Sequence, residues 1–185
     1  MEHYENKIER ALQYLKQPSI LSPTGYSPIV YLVYKPEDVM VIHDMATTLL
    51  PPKADYYGFK PVLVSMGELI DQFINNHEYR DIWTDPTVNE VAMFNSIKQE
   101  IISTNFFENS ILKIQQELNG EEHPLFVLKD IEMLHPFYMM GVIENRIYNE
   151  IRIPILVLYP GETQGNARSF LGIYNQDGNY RSINF

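Results

Sequence analysis

Cysteine is absent from this chain of 185 residues, which excludes disulfides and thiolate metal centres. Such a composition suits a reducing compartment, and a cytoplasmic location is expected. No hydrophobic run approaches the ~18 residues that a membrane-crossing helix requires. Met1 to Arg10 is polar and charged with no apolar stretch behind it, so no signal peptide is expected. Basic residues are scarce: 14 Lys and Arg against 24 Asp and Glu leave a formal charge of −10. A phosphate backbone repels such a surface, and no Lys/Arg cluster offsets it, so direct nucleic-acid binding is not expected.

Several catalytic signatures are missing as well. No Gly-x-x-x-x-Gly-Lys-Ser/Thr phosphate loop and no Gly-x-Gly-x-x-Gly fingerprint occurs. The segment after the first apolar run, Lys35-Pro36-Glu37-Asp38, has no glycine and carries two acids. No Gly-x-Ser-x-Gly elbow is found, although Ser65 follows an apolar run and precedes Gly67. The histidines His3, His43, His77, His123 and His135 fall into no metal-binding spacing.

What is present suffices for a packed core, since 45% of the residues are hydrophobic. The length suits a single domain, 1–185. Tyr4, Ile8, Leu12 and Leu15 recur at helical spacing. Ile29 to Tyr34 is continuously β-branched or aromatic between Pro28 and Pro36, the pattern of a strand buried on both faces. A helix should follow from Pro36 to Pro51-Pro52. Further short strands are expected over 62–65, 125–128 and 153–158. Residues 75–120 form a helical insertion, with a start signal at Thr84-Asp85-Pro86 and a stop at Asn119-Gly120. Another helix is expected from Phe137 to Tyr148. Phe170 to Tyr174 and Tyr180 to Phe185 should make a hairpin around Asn175-Gln176-Asp177-Gly178. Apolar strands alternating with helices predict an α/β fold: a three-layer domain whose mainly parallel sheet is flanked by helices, with a C-terminal antiparallel hairpin. The layout is P-loop-like without a phosphate-binding loop.

Two places could carry function. Asp130, Glu132 and His135 follow the third strand and offer oxygen and nitrogen ligands to a metal, or form a solvated loop. A nucleotide- or metal-dependent phosphohydrolase would use them. The second place is Leu158-Tyr159-Pro160-Gly161-Glu162, continued by Gly165 and Arg168. It leaves a buried strand at the end where α/β sheets commonly bind. Its glycines permit unusual backbone angles, and Glu162 and Arg168 could pair across it. The segment reads either as a partner-binding loop or as a plain connection. Tyr56, Tyr57, Phe59, Phe137 and Tyr138 are read as core packing or as a contact surface.

Tyr159-Pro160-Gly161-Glu162, Gly165, Gly172 and Asn179-Tyr180-Arg181, preceded by the strand Leu125 to Leu128 and Pro136-Phe137, resemble the BrxB family of bacterial BREX phage-exclusion systems. The likeness is strongest over residues 124–185. It implies a non-catalytic component, not an enzyme, with no cofactor. It also implies association with other system proteins, the alkaline-phosphatase-like PglZ component among them. Tyr159, Pro160, Gly161, Glu162, Gly165, Arg168, Tyr180 and Arg181 are then the candidate partner-binding residues.

Overall fold

The run Ile29–Tyr34 forms β1 and is buried at every position. A strand without a polar face needs cover on both sides, and this one has it. The computed structural model describes residues 2–17, 19–21, 27–165, 167–174 and 182–185. β2 (Lys60–Ser65), β3 (Pro124–Lys129) and β4 (Ile155–Gln164) complete the parallel core in the order β2-β3-β4-β1. Alternate residues feed opposite faces. Val30, Leu32, Tyr34, Val127 and Leu156 face one layer. Tyr31, Val33, Phe126, Leu128 and Val157 face the other.

The first layer is α1 (Glu2–Leu15), α2 (Val39–Thr48) and α3 (Leu50–Tyr56). α1 buries Tyr4, Ile8, Leu12 and Leu15, the stripe visible in the sequence. Pro51-Pro52 does not end a helix as expected. It lies in the first turn of α3, where a missing N–H costs nothing.

The second layer is α4 (Met66–Asn76), α5 (Arg80–Trp83), α6 (Glu90–Thr104), α7 (Phe106–Glu117) and α8 (Met140–Ile147). Ile97, Ile101, Phe107 and Ile111 of the helical insertion share one buried cluster with Phe126 and Val157 of the sheet. Thr84-Asp85-Pro86 is a turn rather than a helix start: Asp85 accepts from Thr87, and Asn89 caps α6 through Ala92 N–H. α8 begins at Met140, later than expected, because Phe137 and Tyr138 are spent as buried packing ahead of it. Tyr56 is exposed while Phe59 is buried, so the aromatic group divides between core and surface. Among the described residues no helix is long and apolar enough to cross a membrane.

The antiparallel hairpin is present but lies earlier than expected. β4 does not stop at Leu158. It runs on to Gln164, turns at Gly165 (φ +62°) and pairs with β5 (Ala167–Phe170). β6 (Ile183–Asn184) lies parallel to β1, with Phe185 N–H donating to Tyr31 carbonyl. The expected turn at 175–178 lies outside the described residues.

Candidate functional site at the carboxyl end of the sheet

The connections leaving β1 and β3 go to opposite faces. α2 packs in the layer of Val30 and Leu32, whereas the 3-10 turn Ile131–Leu134 packs in the layer of Tyr31 and Phe126. Both connections leave the carboxyl ends of the strands, the usual binding position of open α/β sheets. His43 of α2, Ser65 at the end of β2, and Asp130 and Glu132 after β3 gather there.

Asp130 organises the group. Its backbone is left-handed (φ 59°), a conformation Asp tolerates better than most residues. The Ser65 hydroxyl donates to Oδ2, and Lys129 Nζ donates to the same oxygen at 2.6 Å. Oδ1 instead faces His43 Nε2 at 2.9 Å, and His43 Nε2 lies 3.4 Å from Glu132 Oε1. Ser65 also accepts from Glu68 N–H at 3.1 Å and so caps α4. Burial opposes ionisation of Asp130, yet Lys129, Ser65 and His43 outweigh it and hold the carboxyl below its ordinary value. Burial raises the Tyr34 phenol far above its ordinary value, and the Glu132 and Asp130 carboxylates add to the shift. One imidazole nitrogen and two carboxylates therefore lie within 4.8 Å of one another.

Of the three expected ligands, the structure joins Asp130 and Glu132 but not His135. His135 turns away to Tyr174, whose hydroxyl is 2.7 Å from Nδ1. The histidine of the cluster is His43, which spacing could not pair with Asp130 because a long stretch of chain separates them. Its one sequence signal is its place on the first helix after a buried strand.

The segment from Tyr159 to Arg168 is a strand pair rather than an exposed loop. Tyr159, Pro160 and Gly161 are buried, while Glu162 and Gly165 are exposed. A Cβ on Gly161 would lie 2.2 Å from the Ser169 carbonyl oxygen, so the close approach of β5 requires glycine. Arg168 is only 2% exposed. It does not pair with Glu162, because Arg168 is opposite Thr163 and Glu162 is opposite Ser169, which sends the two side chains to opposite faces. Its carboxylate partner is Glu144 of α8, at 3.6 Å. Tyr180 and Arg181 lie outside the described residues.

Beside this hairpin is an apolar groove of about 370 Å³. Tyr159, Phe170, Phe137 and Met140 line it, Met139 and Tyr174 flank it, and Lys98 and Arg146 supply its cations.

No curated protein and no solved structure matches the chain. The family model described as BREX protein BrxB matches residues 64–185, a span that holds the groove, the hairpin, Asp130 and Glu132 but not His43. That match covers more than half of the chain, which belongs to the BrxB family and is a component of a BREX antiviral defence system.

Proposed function

We propose that the chain serves BREX defence in the cytoplasm by associating with other proteins of the system, without catalysis of its own. The apolar groove beside Tyr159 carries this reading. Its rim leaves Met139 53% and Tyr174 37% exposed to solvent. Met adapts its shape to a partner, and Tyr combines apolar area with a polar tip, so both suit a docking surface. In a chain of charge −10, Lys98 at the groove edge favours an apolar partner segment that also carries a carboxylate, while Arg146 is already paired with Glu108. The exposed hairpin residues Glu162 and Gly165 lie outside the groove and are further candidates for contact. A PglZ-type component is the partner expected from the family.

The experiment is a pull-down of the tagged chain from cells expressing the neighbouring BREX genes, with phage plating in parallel. The wild type should recover BREX proteins, the PglZ-type component among them. Met139→Asp and Tyr174→Ala should reduce that recovery, because truncating an interface anchor costs about 2 kcal/mol or more. Met139→Asp should melt close to the wild type, since exposed substitutions shift stability by about 0.5 kcal/mol. Tyr174→Ala also loses contacts with His135 and Phe170, so its recovery is compared per folded protein. Unchanged recovery by these folded variants overturns the groove assignment. Failure of the wild type to recover any BREX protein overturns the association reading.

A further inference from the structure

We propose that His43, Asp130 and Glu132 bind one first-row divalent transition cation of the zinc or manganese class, a property distinct from partner association.

Spacing is the first argument. Ligands about 2.0–2.2 Å from an ion at tetrahedral or octahedral angles lie about 2.9–3.5 Å from one another. His43 Nε2 is 2.9 Å from Asp130 Oδ1 and 3.4 Å from Glu132 Oε1. Both pairs that include His43 already have the separations of a coordination polyhedron, and all three donors lie within 4.8 Å of one another.

The second argument is independent of spacing. His43 Nε2 is shielded from solvent, yet completes no hydrogen bond among the described residues, whereas the Glu132 carboxylate has the Tyr34 phenol as a donor. Buried polar atoms are normally satisfied, and an orphan asks for a missing ion or water. A charged imidazolium facing both carboxylates is the competing arrangement, and its 2.9 Å approach to Asp130 misses hydrogen-bond geometry.

The surroundings orient the ligands. Ser65 and Lys129 both engage Asp130 Oδ2, which leaves Oδ1 directed at His43. Ligating carboxylates are characteristically held in this way by outer partners. Lys129 cancels one of the two carboxylate charges without entering the donor set. An imidazole with two carboxylates suits zinc or manganese better than magnesium, which prefers oxygen alone. Three protein donors leave at least one coordination position for water.

The full chain, stripped with a chelator and dialysed, is titrated separately with Zn²⁺ and Mn²⁺. Elemental analysis after gel filtration gives stoichiometry, and competition with a chromophoric chelator gives affinity. The wild type should hold one ion per chain, and that ion should raise its melting temperature by mass action. His43→Ala and the isosteric Glu132→Gln should each lose about tenfold or more in affinity and lose the melting shift. Ser65→Ala, which leaves Oδ2 held by Lys129 alone, should lose about 10-fold or more. His135→Ala should bind as the wild type does. Circular dichroism of the metal-free variants verifies that they fold. Absence of a stoichiometric ion with either metal, or wild-type affinity in folded His43→Ala or Glu132→Gln, overturns the site.

Discussion

Arg168 Cζ lies 3.5 Å from the centre of the Tyr31 ring. The hydroxyl of that ring donates to Glu144 Oε2 at 2.5 Å, and Arg168 Nη2 is 3.6 Å from the same oxygen. Arg168 Nη1 donates to Ser182 Oγ at 2.9 Å and to Asn184 Oδ1 at 2.7 Å. One guanidinium thus ties β5 to β1, α8 and β6. Glu144 is fully buried, and burial followed by this carboxylate pushes the Tyr31 phenol well above its ordinary value.

Removing one member of a buried pair strands the other charge in the core. Arg168→Ala should therefore destabilise the chain by about 3–5 kcal/mol in urea unfolding. Arg168→Lys should recover only part of this, since an ammonium can neither stack as a plane nor reach Ser182, Asn184 and Glu144 through a fork. Glu162→Ala, on the exposed face of the same hairpin, should shift stability by about 0.5 kcal/mol. Equal losses at the two positions would contradict the buried network.

The hairpin glycines should respond differently to the same change. Gly161→Ala places a methyl against the Ser169 backbone, which no rotamer change relieves, so β5 must move. Gly165 has open space around its missing Cβ and only a positive φ. Gly165→Ala should cost about 1–2 kcal/mol, and Gly165→Asn less, because Asn tolerates that region. Thermal melting of the three variants should rank Gly161→Ala lowest.

Asp130 sets a pH dependence of definite sign. Its folded carboxyl is held below its ordinary value by Lys129, Ser65 and His43 against the opposing effect of burial. The stabilisation is thus fully present above the unfolded value of about 3.9. It is lost as the pH falls from there through the depressed folded value. Metal-free Asp130→Asn keeps a residue that accepts φ 59° and should lose this acid limb. Melting temperatures measured from neutral pH down to about pH 3 should converge for wild type and variant. A gap that widens toward acid would contradict the assignment.

Trp83, the lone tryptophan, reports on the helical insertion. It is 4% exposed, 4.4 Å from the His77 ring in a stacked arrangement, and its indole N–H donates to Ser96. The insertion shares its apolar cluster with the sheet, so residues 1–185 should unfold as one unit. Trp83 fluorescence and far-ultraviolet circular dichroism should then give coincident urea transitions. An earlier fluorescence transition would make the insertion a separate cooperative unit.

Local pattern made several elements legible. Ile29–Tyr34 and Leu125–Leu128 could be recognised as doubly buried strands because each run carries the signal within itself. The stripe Tyr4, Ile8, Leu12 and Leu15 needed only helical spacing. Boundaries were less visible where two rules competed. Pro51-Pro52 suits a helix start as well as a stop, and Asp85 serves a turn as readily as a cap.

What the amino-acid sequence determined alone was therefore the parallel α/β class and, through Tyr159-Pro160-Gly161-Glu162 and its neighbours, the BrxB family. Hydrophobic periodicity and a short motif are properties of adjacent residues. Tertiary structure alone decided that His43 rather than His135 meets Asp130 and Glu132, that Arg168 serves Glu144 instead of Glu162, and that β6 runs parallel to β1. Each depends on which distant strands become neighbours and in what register, and a shift of one residue sends every side chain to the opposite face.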